Sequence, residues 1–341
     1  MELLFFLVLI FIPYLLFYIY PIAFIKNPVR KNSLITPPKL FLYSYVFHIH
    51  TQFSYDSLGK PEDVKRAARE NNIDFVIITD HEVDYFKHFE DERTIVGIER
   101  KINDEKGNLL GDLIEIGELK VISHHFRKYK WKLPRKREYL FELINLKDSI
   151  VENRKVLIFY LLLAPFVYFF MKNAYIENFI KIIDTEKYIK KYLKECWENK
   201  LIGGLDHHVK IYIREVGIRF LFPSYSFSFR LLRNFLLSTR PIRNKEEFLR
   251  ALGKEVNLIS FSEKPSLVWK EGKTVFIYAP YPNVLIKVFS KNEIKNFESS
   301  SLKLNLPEGN YIVCGYRYAF RIWNFYFGLK PLFVSDLINV N

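Results

Sequence analysis

The chain has 341 residues and a formal net charge of +13, and 17% of its residues are aromatic. This length allows one large domain and a smaller one. The basic charge suggests an anionic partner such as a phosphorylated substrate, a lipid headgroup or a nucleic acid. Cys196 and Cys314 are the only cysteines, so a disulfide framework and a thiolate zinc site are excluded.

The amino-terminal stretch is predicted to be a membrane anchor. Residues 2–25 contain one charge, Glu2, and are otherwise dominated by Leu, Ile, Phe and Tyr. A run of this length can span a bilayer as a helix. It lacks the basic start and the small-residue cleavage site of a secretory signal, which favours a retained anchor over a cleaved signal peptide. We therefore expect the lipid bilayer to be a partner of the chain.

The charges that follow the anchor predict the side of the membrane. Lys26, Arg30 and Lys31 come soon after the apolar run, and basic residues usually flank the cytoplasmic end of a spanning helix. The body after the anchor is therefore expected in the cytoplasm, with a periplasmic or extracellular body as the alternative.

The first strand of the body ends in two histidines. Residues 42–47 are aromatic and β-branched, which is typical of a strand. Because alternate residues of a strand point to the same face, His48 and His50 project together, as two ligands of one metal ion would. For this pair alone, two unrelated histidines on a strand are the alternative interpretation.

Four further short apolar segments end in side chains that can bind metal. They are residues 75–79, 94–98, 119–123 and 200–205, and the first is wholly apolar, as in a strand buried on both faces. In chain order they are followed by Asp80 and His81, by Glu99, by His124 and His125, and by Asp206, His207 and His208.

The distribution of the histidines indicates one shared site. Seven of the eight histidines lie at these strand ends, and only His88 lies in a polar segment, which we interpret as surface. Parallel strands of an α/β barrel bring their carboxyl ends to one rim, where such folds build their active sites. We therefore expect an α/β barrel with a metal site at that rim.

The remaining segments predict helices and a second, all-β region. Residues 156–171 are apolar but short for a membrane span, which favours a buried helix or a helix at a membrane surface. Residues 184–199 have the pattern of an amphipathic helix with a solvated charged face. After about residue 264, short apolar segments alternate with turns, which predicts a small antiparallel β-sandwich without site residues.

Five motifs, in order, resemble those of the polymerase and histidinol phosphatase (PHP) superfamily of metal-dependent phosphoesterases. The matching segments, which lie within about residues 40–260, are His48-Ile49-His50-Thr51 with Ser54 and Asp56, then Thr79-Asp80-His81, Gly97-Ile98-Glu99, Val121-Ile122-Ser123-His124 and Gly203-Gly204-Leu205-Asp206-His207-His208. The carboxyl-terminal part resembles the β-sandwich appended to some membrane-anchored or exported members of that family.

The resemblance implies a distorted (β/α)7 barrel and a set of metal ligands. The implied ligands are His48, His50, Asp56, His81, Glu99, His124, Asp206 and His208. Some trinuclear relatives have another histidine between the third motif and the strand-end histidine, but residues 100–123 contain none. We therefore expect two divalent ions, with three as the alternative, and imidazole with carboxylate ligands suits Zn, Mn or Fe.

The expected activity is hydrolysis of a phosphate ester by a metal-activated water. The resemblance gives Glu99 a bridging role, and Asp80, His125 and His207 are further candidates for catalytic residues. A basic cluster at Arg127, Lys128 and Lys130 is interpreted as a solvated loop, with phosphate binding as the alternative.

Two other functions remain open at this point. They are a non-catalytic, metal-stabilised envelope or binding protein, and a hydrolase of a non-phosphate ester or amide. No specific nucleic-acid-binding module is recognisable.

Four segments are predicted: an anchor in residues 1–26, a linker in 27–40, the hydrolase barrel in 41–262 and the β-sandwich in 263–341.

Overall fold

The computed structural model describes residues 2–127, 129–215 and 218–341. Helix α1 (Glu2–Ile19) is followed by two short strands, β1 (Ile22–Phe24) and β2 (Val29–Arg30). Within the described part of the chain, no helix combines the length and the apolar character needed to cross a membrane.

The expected spanning helix over residues 2–25 is therefore not supported. The helix ends at Ile19, whose carbonyl accepts a hydrogen bond from the backbone N–H of Gly328 at 2.7 Å. Next, β1 pairs with a strand near the carboxyl end of the chain. Phe17 is buried against Tyr160 and Tyr175, so folded protein covers part of this apolar run.

Seven strands form the barrel that carries the site. They are β3 (Phe41–Ile49), β4 (Phe75–His81), β5 (Thr94–Asn103), β6 (Leu109–Ile116), β7 (Leu119–Ser123), β8 (Leu140–Asn145) and β9 (Lys200–Gly204). Helix α2 (Pro61–Glu70) connects β3 to β4, and a 3-10 helix (Tyr85–Phe89) precedes β5. Pro61 in the first turn and the acidic residues after it explain where α2 begins.

The barrel strands follow one another in chain order, and only β6 runs against its neighbours. Two hairpin turns therefore replace crossover helices between β5 and β7, which is one departure from a regular (β/α)7 barrel. The barrel closes between β9 and β3 at its carboxyl-terminal rim. There, the N–H of His207 donates to the His48 carbonyl at 3.2 Å, and the N–H of His50 donates to the His207 carbonyl at 3.0 Å.

Three helices lie between β8 and β9. They are α3 (Leu146–Glu152), α4 (Arg154–Phe179) and α5 (Thr185–Lys194), with a 3-10 helix (Ile180–Ile182) before α5. The apolar run at 156–171 forms most of α4, and its buried side chains Tyr160, Leu163 and Val167 belong to the core that also contains Phe17 of α1. The amphipathic segment at 184–199 gives α5, with Tyr188 and Tyr192 on its buried side.

A hairpin, two helices and two strands follow the barrel. They are β10 (Ile211–Glu215), β11 (Ile218–Phe222), α6 (Tyr225–Leu231), β12 (Arg233–Ser238), α7 (Lys245–Leu252) and β13 (Val256–Ser260). Strand β12 pairs antiparallel with β3 and with β13, so the barrel sheet continues outward on this side.

The carboxyl-terminal region is rich in β-strands, as the sequence predicts. Its strands are β14 (Leu267–Glu271), β15 (Thr274–Tyr278), β16 (Val284–Phe289), β17 (Ile294–Glu298), β18 (Ser301–Asn305), β19 (Gly309–Arg317), β20 (Phe320–Ile322), β21 (Phe325–Phe327), β22 (Lys330–Ser335) and β23 (Ile338–Val340).

Two layers of these strands pack face to face. The sheet β14–β15–β18 covers the sheet that contains β16, β19 and β22, and Val275, Ile286 and Phe333 belong to the shared core. Strand β22 also pairs with β13, so one continuous sheet joins the barrel to the β-rich region. The buried Asp336 carboxylate strengthens this junction because it accepts the N–H of Leu201, in β9, at 2.8 Å.

Candidate metal centre

All eight residues expected to bind metal lie together at one rim of the barrel. They come from β3 and the loop after it (His48, His50, Asp56), from β4 (His81), from β5 (Glu99), from the end of β7 (His124) and from the end of β9 (Asp206, His208). Parallel strands place their carboxyl ends at the same edge, which is why residues so distant in sequence meet.

The Glu99 carboxylate lies at the centre of the cluster. Its Oε1 is 3.2 Å from Nε2 of His48 and 3.1 Å from Nε2 of His124. Its Oε2 is 3.2 Å from Nε2 of His50 and 3.0 Å from Nδ1 of His81. Each oxygen thus faces a different pair of imidazoles, which is the arrangement that a carboxylate needs to bridge two cations.

The Asp206 carboxylate faces three of the same rings. Its Oδ1 is 3.9 Å from Nε2 of His48 and 3.6 Å from Nε2 of His50, and its Oδ2 is 3.6 Å from Nε2 of His124. Glu99 and Asp206 therefore share His48, His50 and His124 as neighbours.

A third group of ligands lies nearer the solvent. Oδ2 of Asp56 is 3.0 Å from Nε2 of His208, and its Oδ1 is 3.7 Å from Nε2 of His81. The His50 ring stacks on both of these rings, with centroid distances of 4.1 Å to His208 and 4.4 Å to His81. The stacking keeps the three imidazole edges on one side.

Four overlapping triads have donor atoms within 4.8 Å of one another. They are His50–His81–His208, His48–His124–Asp206, His48–His50–Glu99 and Glu99–Asp112–His124. The last triad includes Asp112, a residue of β6 that the sequence argument did not select. The triads share members: His50 joins the first to the third, His48 joins the second to the third, and Glu99 joins the third to the fourth.

The hydrogen bonding of the donor atoms indicates whether the site fits a metal ion. The buried atoms without a hydrogen-bond partner in the described structure include six in this cluster: His48 Nε2, His50 Nε2, Asp56 Oδ1, Glu99 Oε2, Asp206 Oδ2 and His208 Nε2. Burying polar atoms without partners is unfavourable. Nitrogen and carboxylate donors that converge in this way fit divalent cations, so the residues present match the metals that the motifs imply.

The opposite nitrogens of these rings are held by hydrogen bonds. The Nδ1–H of His48 donates to Oε1 of Glu142 at 2.7 Å, and the Nδ1–H of His124 donates to Oδ2 of Asp148 at 2.8 Å. The Nδ1–H of His208 donates to the backbone carbonyl of Asp206 at 2.9 Å. Such bonds fix the tautomer and leave the Nε2 lone pair directed at the metal site.

His50 is oriented in the same way through a hydroxyl. Ser54 Oγ lies 3.1 Å from its Nδ1 and donates to Asp80 Oδ1 at 2.9 Å, so His50 is the donor to Ser54. Asp80 also accepts the backbone N–H of Thr51 at 2.6 Å and the hydroxyl of Thr51 at 2.7 Å. Asp80 therefore organises the loop that carries Ser54, and its contacts are those of a positioning residue.

Three of the ligand residues have left-handed backbone conformations. The φ angles are 65° at His48, 52° at His124 and 47° at Asp206. Non-glycine residues adopt this region rarely, and such strain concentrates at functional sites. At His48 it accompanies an irregularity in the pairing of β3 with β4, and both His48 and His50 still face the cluster.

Charged neighbours shift the pKa values of the groups in the cluster. Burial alone lowers the pKa of His48, but the carboxylates of Glu142 and Glu99 outweigh burial and raise it well above its usual value. Burial raises the pKa of Glu99, but the neighbouring imidazoles outweigh it and hold the pKa well below its usual value. Burial together with the Glu99 charge raises the pKa of Asp112 to about 7.

The other candidate catalytic residues lie outside the four triads. Nε2 of His125 is 2.9 Å from Oε2 of Glu195, and its Nδ1 accepts the backbone N–H of Trp131 at 3.0 Å. Nδ1 of His207 is 2.7 Å from the hydroxyl of Ser228. Both rings are buried, and Nε2 of His207 is another buried atom without a hydrogen-bond partner in the described structure. A catalytic role for either residue stays a prediction.

Outside the cluster, His88 lies exposed on the 3-10 helix before β5, as expected from the sequence.

Four residues of the site were missed by the sequence argument. Glu142 is the single acidic residue of the buried strand β8, and that isolation was a usable signal, whereas Asp112 shares the largely apolar strand β6 with Glu115. Lys147 and Asp148 lie in the first turn of α3 and had no distinguishing pattern. Nζ of Lys147 is 3.1 Å from Oδ1 of Asp206, so it reaches the cluster directly.

A cavity of about 260 Å³ opens onto the cluster. Three cationic side chains, Lys101, Arg127 and Lys147, line it together with Tyr55 and Tyr129. The Arg127 guanidinium donates to Asp148, and Nζ of Lys101 lies 5.5 Å from the centroid of the Tyr129 ring. Arg127 therefore belongs to the site and not to a solvated loop, whereas Lys128 lies outside the described residues.

A family model for the PHP domain matches residues 47–229, which is more than half of the chain. The chain belongs to the PHP domain family. The resemblance inferred from the five motifs is thereby confirmed. No curated protein matches the chain.

Among solved structures, the PHP protein is similar to a two-domain protein from Bacteroides vulgatus described as containing a predicted PHP-like metal-dependent phosphoesterase. The identity is 11% and the TM-score is 0.37, over 92% of this chain and 99% of that one. The family match and the buried clusters of imidazoles and carboxylates are those of a PHP-like metal-dependent phosphoesterase.

Proposed function

We propose that this PHP protein hydrolyses a phosphate ester with a water molecule activated by divalent cations. The observation that carries the proposal is the set of six buried donor atoms without hydrogen-bond partners, which converge below a cavity lined by three cationic side chains. When bound, divalent cations would lower the pKa of a water and neutralise charge on the phosphoryl oxygens. The other roles, which are to hold the cations and to bind and orient the phosphoryl group, belong to side chains of the protein.

Three cation positions are proposed where the sequence alone favoured two. The first would be held by His48, His50, Glu99 and Asp206, the second by Glu99, Asp112 and His124, and the third by Asp56, His81 and His208. Asp112 would take the place of the histidine that residues 100–123 lack. Burial raises the pKa of Asp112 and the Glu99 charge raises it further, and a cation held by both residues would offset the repulsion between the two carboxylates.

The cationic residues of the cavity would bind and orient the phosphoryl group. Arg127 is held by Asp148, which also holds His124, so the position of the guanidinium is coupled to the position of a ligand. Lys147 lies beside Asp206 at the floor of the cavity, and Lys101 lines another part of its wall. Cations placed in this way stabilise the charge that spreads over the phosphoryl oxygens as the bond to the leaving group breaks.

The test combines metal analysis with hydrolysis of activated esters. Purified protein should contain Zn, Mn or Fe and should hydrolyse p-nitrophenyl phosphate or its bis ester. His48→Ala and Asp206→Ala should lower both metal content and turnover, whereas the exposed His88→Ala serves as the matched control and should change neither. Full turnover in a metal-free His48→Ala protein would contradict the proposal. Metal without hydrolysis of any ester would favour a metal-stabilised binding protein.

A further inference from the structure

Two helices and a hairpin present apolar side chains to solvent away from the metal centre. Leu16 of α1 is 43% exposed and Leu162 of α4 is 69% exposed. Phe24 of β1 and Trp323, at the turn between β20 and β21, are 61% and 82% exposed. The docking surface is defined here as the exposed apolar side chains of α1 from Phe11 onward, of the described part of α4, of β1 and of the β20–β21 hairpin.

Backbone pairing makes the docking surface continuous. Strand β1 pairs with β21, and the Phe24 ring lies 5.2 Å from the ring of Phe325. The N–H of Ile25 donates to the Asn324 carbonyl at 2.9 Å, beside Trp323. On the other side, the Tyr20 ring at the end of α1 lies 5.7 Å from Phe159 of α4. The apolar side chains therefore belong to one surface and are not scattered singly.

The charges around this surface are mostly positive. Residues 11–26, 154–176 and 319–329 contain no Asp or Glu. The same segments contain five cationic residues, which are Lys26, Arg154, Lys155, Lys172 and Arg321. The first four are exposed, so their charge is available to a partner. Glu177, the next acidic residue along α4, is exposed, so the border is mainly and not wholly cationic. An apolar face bordered mainly by cations is complementary to a surface that is apolar inside and anionic outside.

A groove of about 430 Å³ runs between α1 and α4 within the docking surface. Apolar side chains such as Leu16, Tyr20, Val156 and Phe159 line it, and Lys155 is its charged residue. This combination suits an acyl chain with an anionic headgroup at the lysine end.

We propose that the folded protein docks peripherally on an anionic lipid bilayer through this surface, independently of the proposed catalysis. Exposed apolar patches of this kind mark interaction sites, and aromatic side chains with flanking cations are typical of segments that lie in a membrane interface. The proposal places the contact in the interface plane, with the hairpin tip at Trp323 inserted below the headgroups.

The first experiment measures binding and depth with the full-length chain. Flotation with phosphatidylcholine vesicles, with and without about 30% phosphatidylglycerol, should show binding that requires the anionic lipid and weakens with salt. Brominated lipids should quench the fluorescence of Trp323, because Trp131 and Trp197 are buried in the barrel region. Trp323→Phe should lose most of the quenching, whereas Trp269→Phe, on the β14–β15–β18 sheet, should retain it.

The second experiment tests whether the basic residues of the docking surface contribute to binding. The double variant Lys155→Glu/Lys172→Glu should weaken binding to anionic vesicles at least about tenfold, since each basic residue near such a surface contributes appreciably. Lys106→Glu/Lys273→Glu changes the net charge equally at exposed positions outside the docking surface and should bind like the unaltered protein.

Three results would overturn the proposal. The first is no binding to vesicles of either composition. The second is a stable dimer, without lipid, that Trp323→Glu converts to monomer, because the docking surface would then be an interface between two copies. The third is retention in membranes after alkaline carbonate by both the unaltered chain and the Lys155→Glu/Lys172→Glu variant, because the chain would then be embedded and not docked.

Discussion

The Nδ1–H of His48 donates a 2.7 Å hydrogen bond to Glu142, and this contact joins the metal centre to the middle strand of the parallel trio β7, β8 and β9. Glu142 is fully buried in β8, and Gly204 lies beside it in β9. The orientation of His48 thus depends on Glu142 and Gly204, which are not among the expected ligands.

Replacing Glu142 by Gln should weaken metal binding about 10–100-fold. Oε1 of Glu142 accepts from His48, and its Oε2 accepts the N–H of His124 at 3.2 Å and the amide of Asn145 at 3.1 Å. The amide of Gln has only one oxygen. Its NH2 group must therefore face either the N–H of His48 or the N–H groups of His124 and Asn145, and two donors cannot bond to each other. Metal titration of the purified variant measures the effect, and the exposed Glu138→Gln is the control. Equal affinities for the two variants would contradict the proposed orienting role.

Replacing Gly204 by Ala should disturb the same contact without touching a ligand. A Cβ at Gly204 would lie 1.7 Å from Oε1 of Glu142, so the buried carboxylate must move away from His48 to accommodate it. We expect loss of metal content and of turnover in a protein that still folds, as judged by circular dichroism. Gly253→Ala meets only the flexible end of Leu119, at 3.1 Å, and serves as the control. Normal metal content in Gly204→Ala would contradict the prediction.

Replacing His125 by Gln should affect stability more than turnover. His125 packs against Trp197, with centroids 4.9 Å apart, and bonds to Glu195 and to the backbone of Trp131. Its sequence neighbour His124 is the expected ligand. A lower Tm with little change in the turnover rate would fit this packing. If turnover instead fell by about two orders of magnitude or more, as the loss of a general acid or base would cause, while Tm and metal content stayed normal, His125 would be a catalytic residue.

The sequence predicted most of the cluster that forms the candidate site because the expected ligands follow short buried strands. His48, His50, His81, His124 and Asp206 each come at or next to a strand end, and strand ends can be recognised from local composition. The parallel course of the strands then brings the ligands together without further information.

Contacts between distant segments were harder to predict. Asp112, Glu142 and Asp148 act through partners far away in the sequence, as the 94-residue separation of His48 and Glu142 shows. The antiparallel course of β6 and the sheet that joins β13 to β22 likewise depend on pairing that composition does not encode. The length and composition of the apolar amino-terminal run predict a membrane span, because they do not reveal that Phe17 packs against Tyr160.

Removing the metals should destabilise the folded protein. The unpaired buried donor atoms of the centre gain partners when cations bind. A ligand that binds only the folded state at about 100 times its Kd contributes about 2.7 kcal/mol per site. Chelation by EDTA or dipicolinate should therefore lower the Tm by several degrees, and added Zn or Mn should restore it. His48→Ala should respond less to the chelator, and an identical response in both proteins would contradict the proposed site.

The contact that holds the end of α1 should make stability depend on pH. Nζ of Lys181 donates to the Phe17 carbonyl at 3.0 Å, and burial, assisted by the charge of Lys330, lowers the pKa of Lys181 from 10.5 to about 7. Between these two values the unfolded chain binds a proton that the folded chain does not. The unfolding free energy should therefore rise with pH across this window, by about 2 kcal/mol between about pH 7.5 and 9.5.

Lys181→Met isolates that dependence. The variant lacks the hydrogen bond at every pH, which lowers its unfolding free energy throughout. It also lacks the titrating amine, so its unfolding free energy should not rise across this pH window. The difference in Tm between the two proteins should therefore change steadily across the same pH window, with the unaltered protein gaining on the variant as the pH rises. Lys190→Met removes an exposed lysine from α5 and should leave the slope unchanged. Parallel curves for the unaltered protein and Lys181→Met would show that the buried amine is protonated throughout, and that it holds α1 as a charged donor.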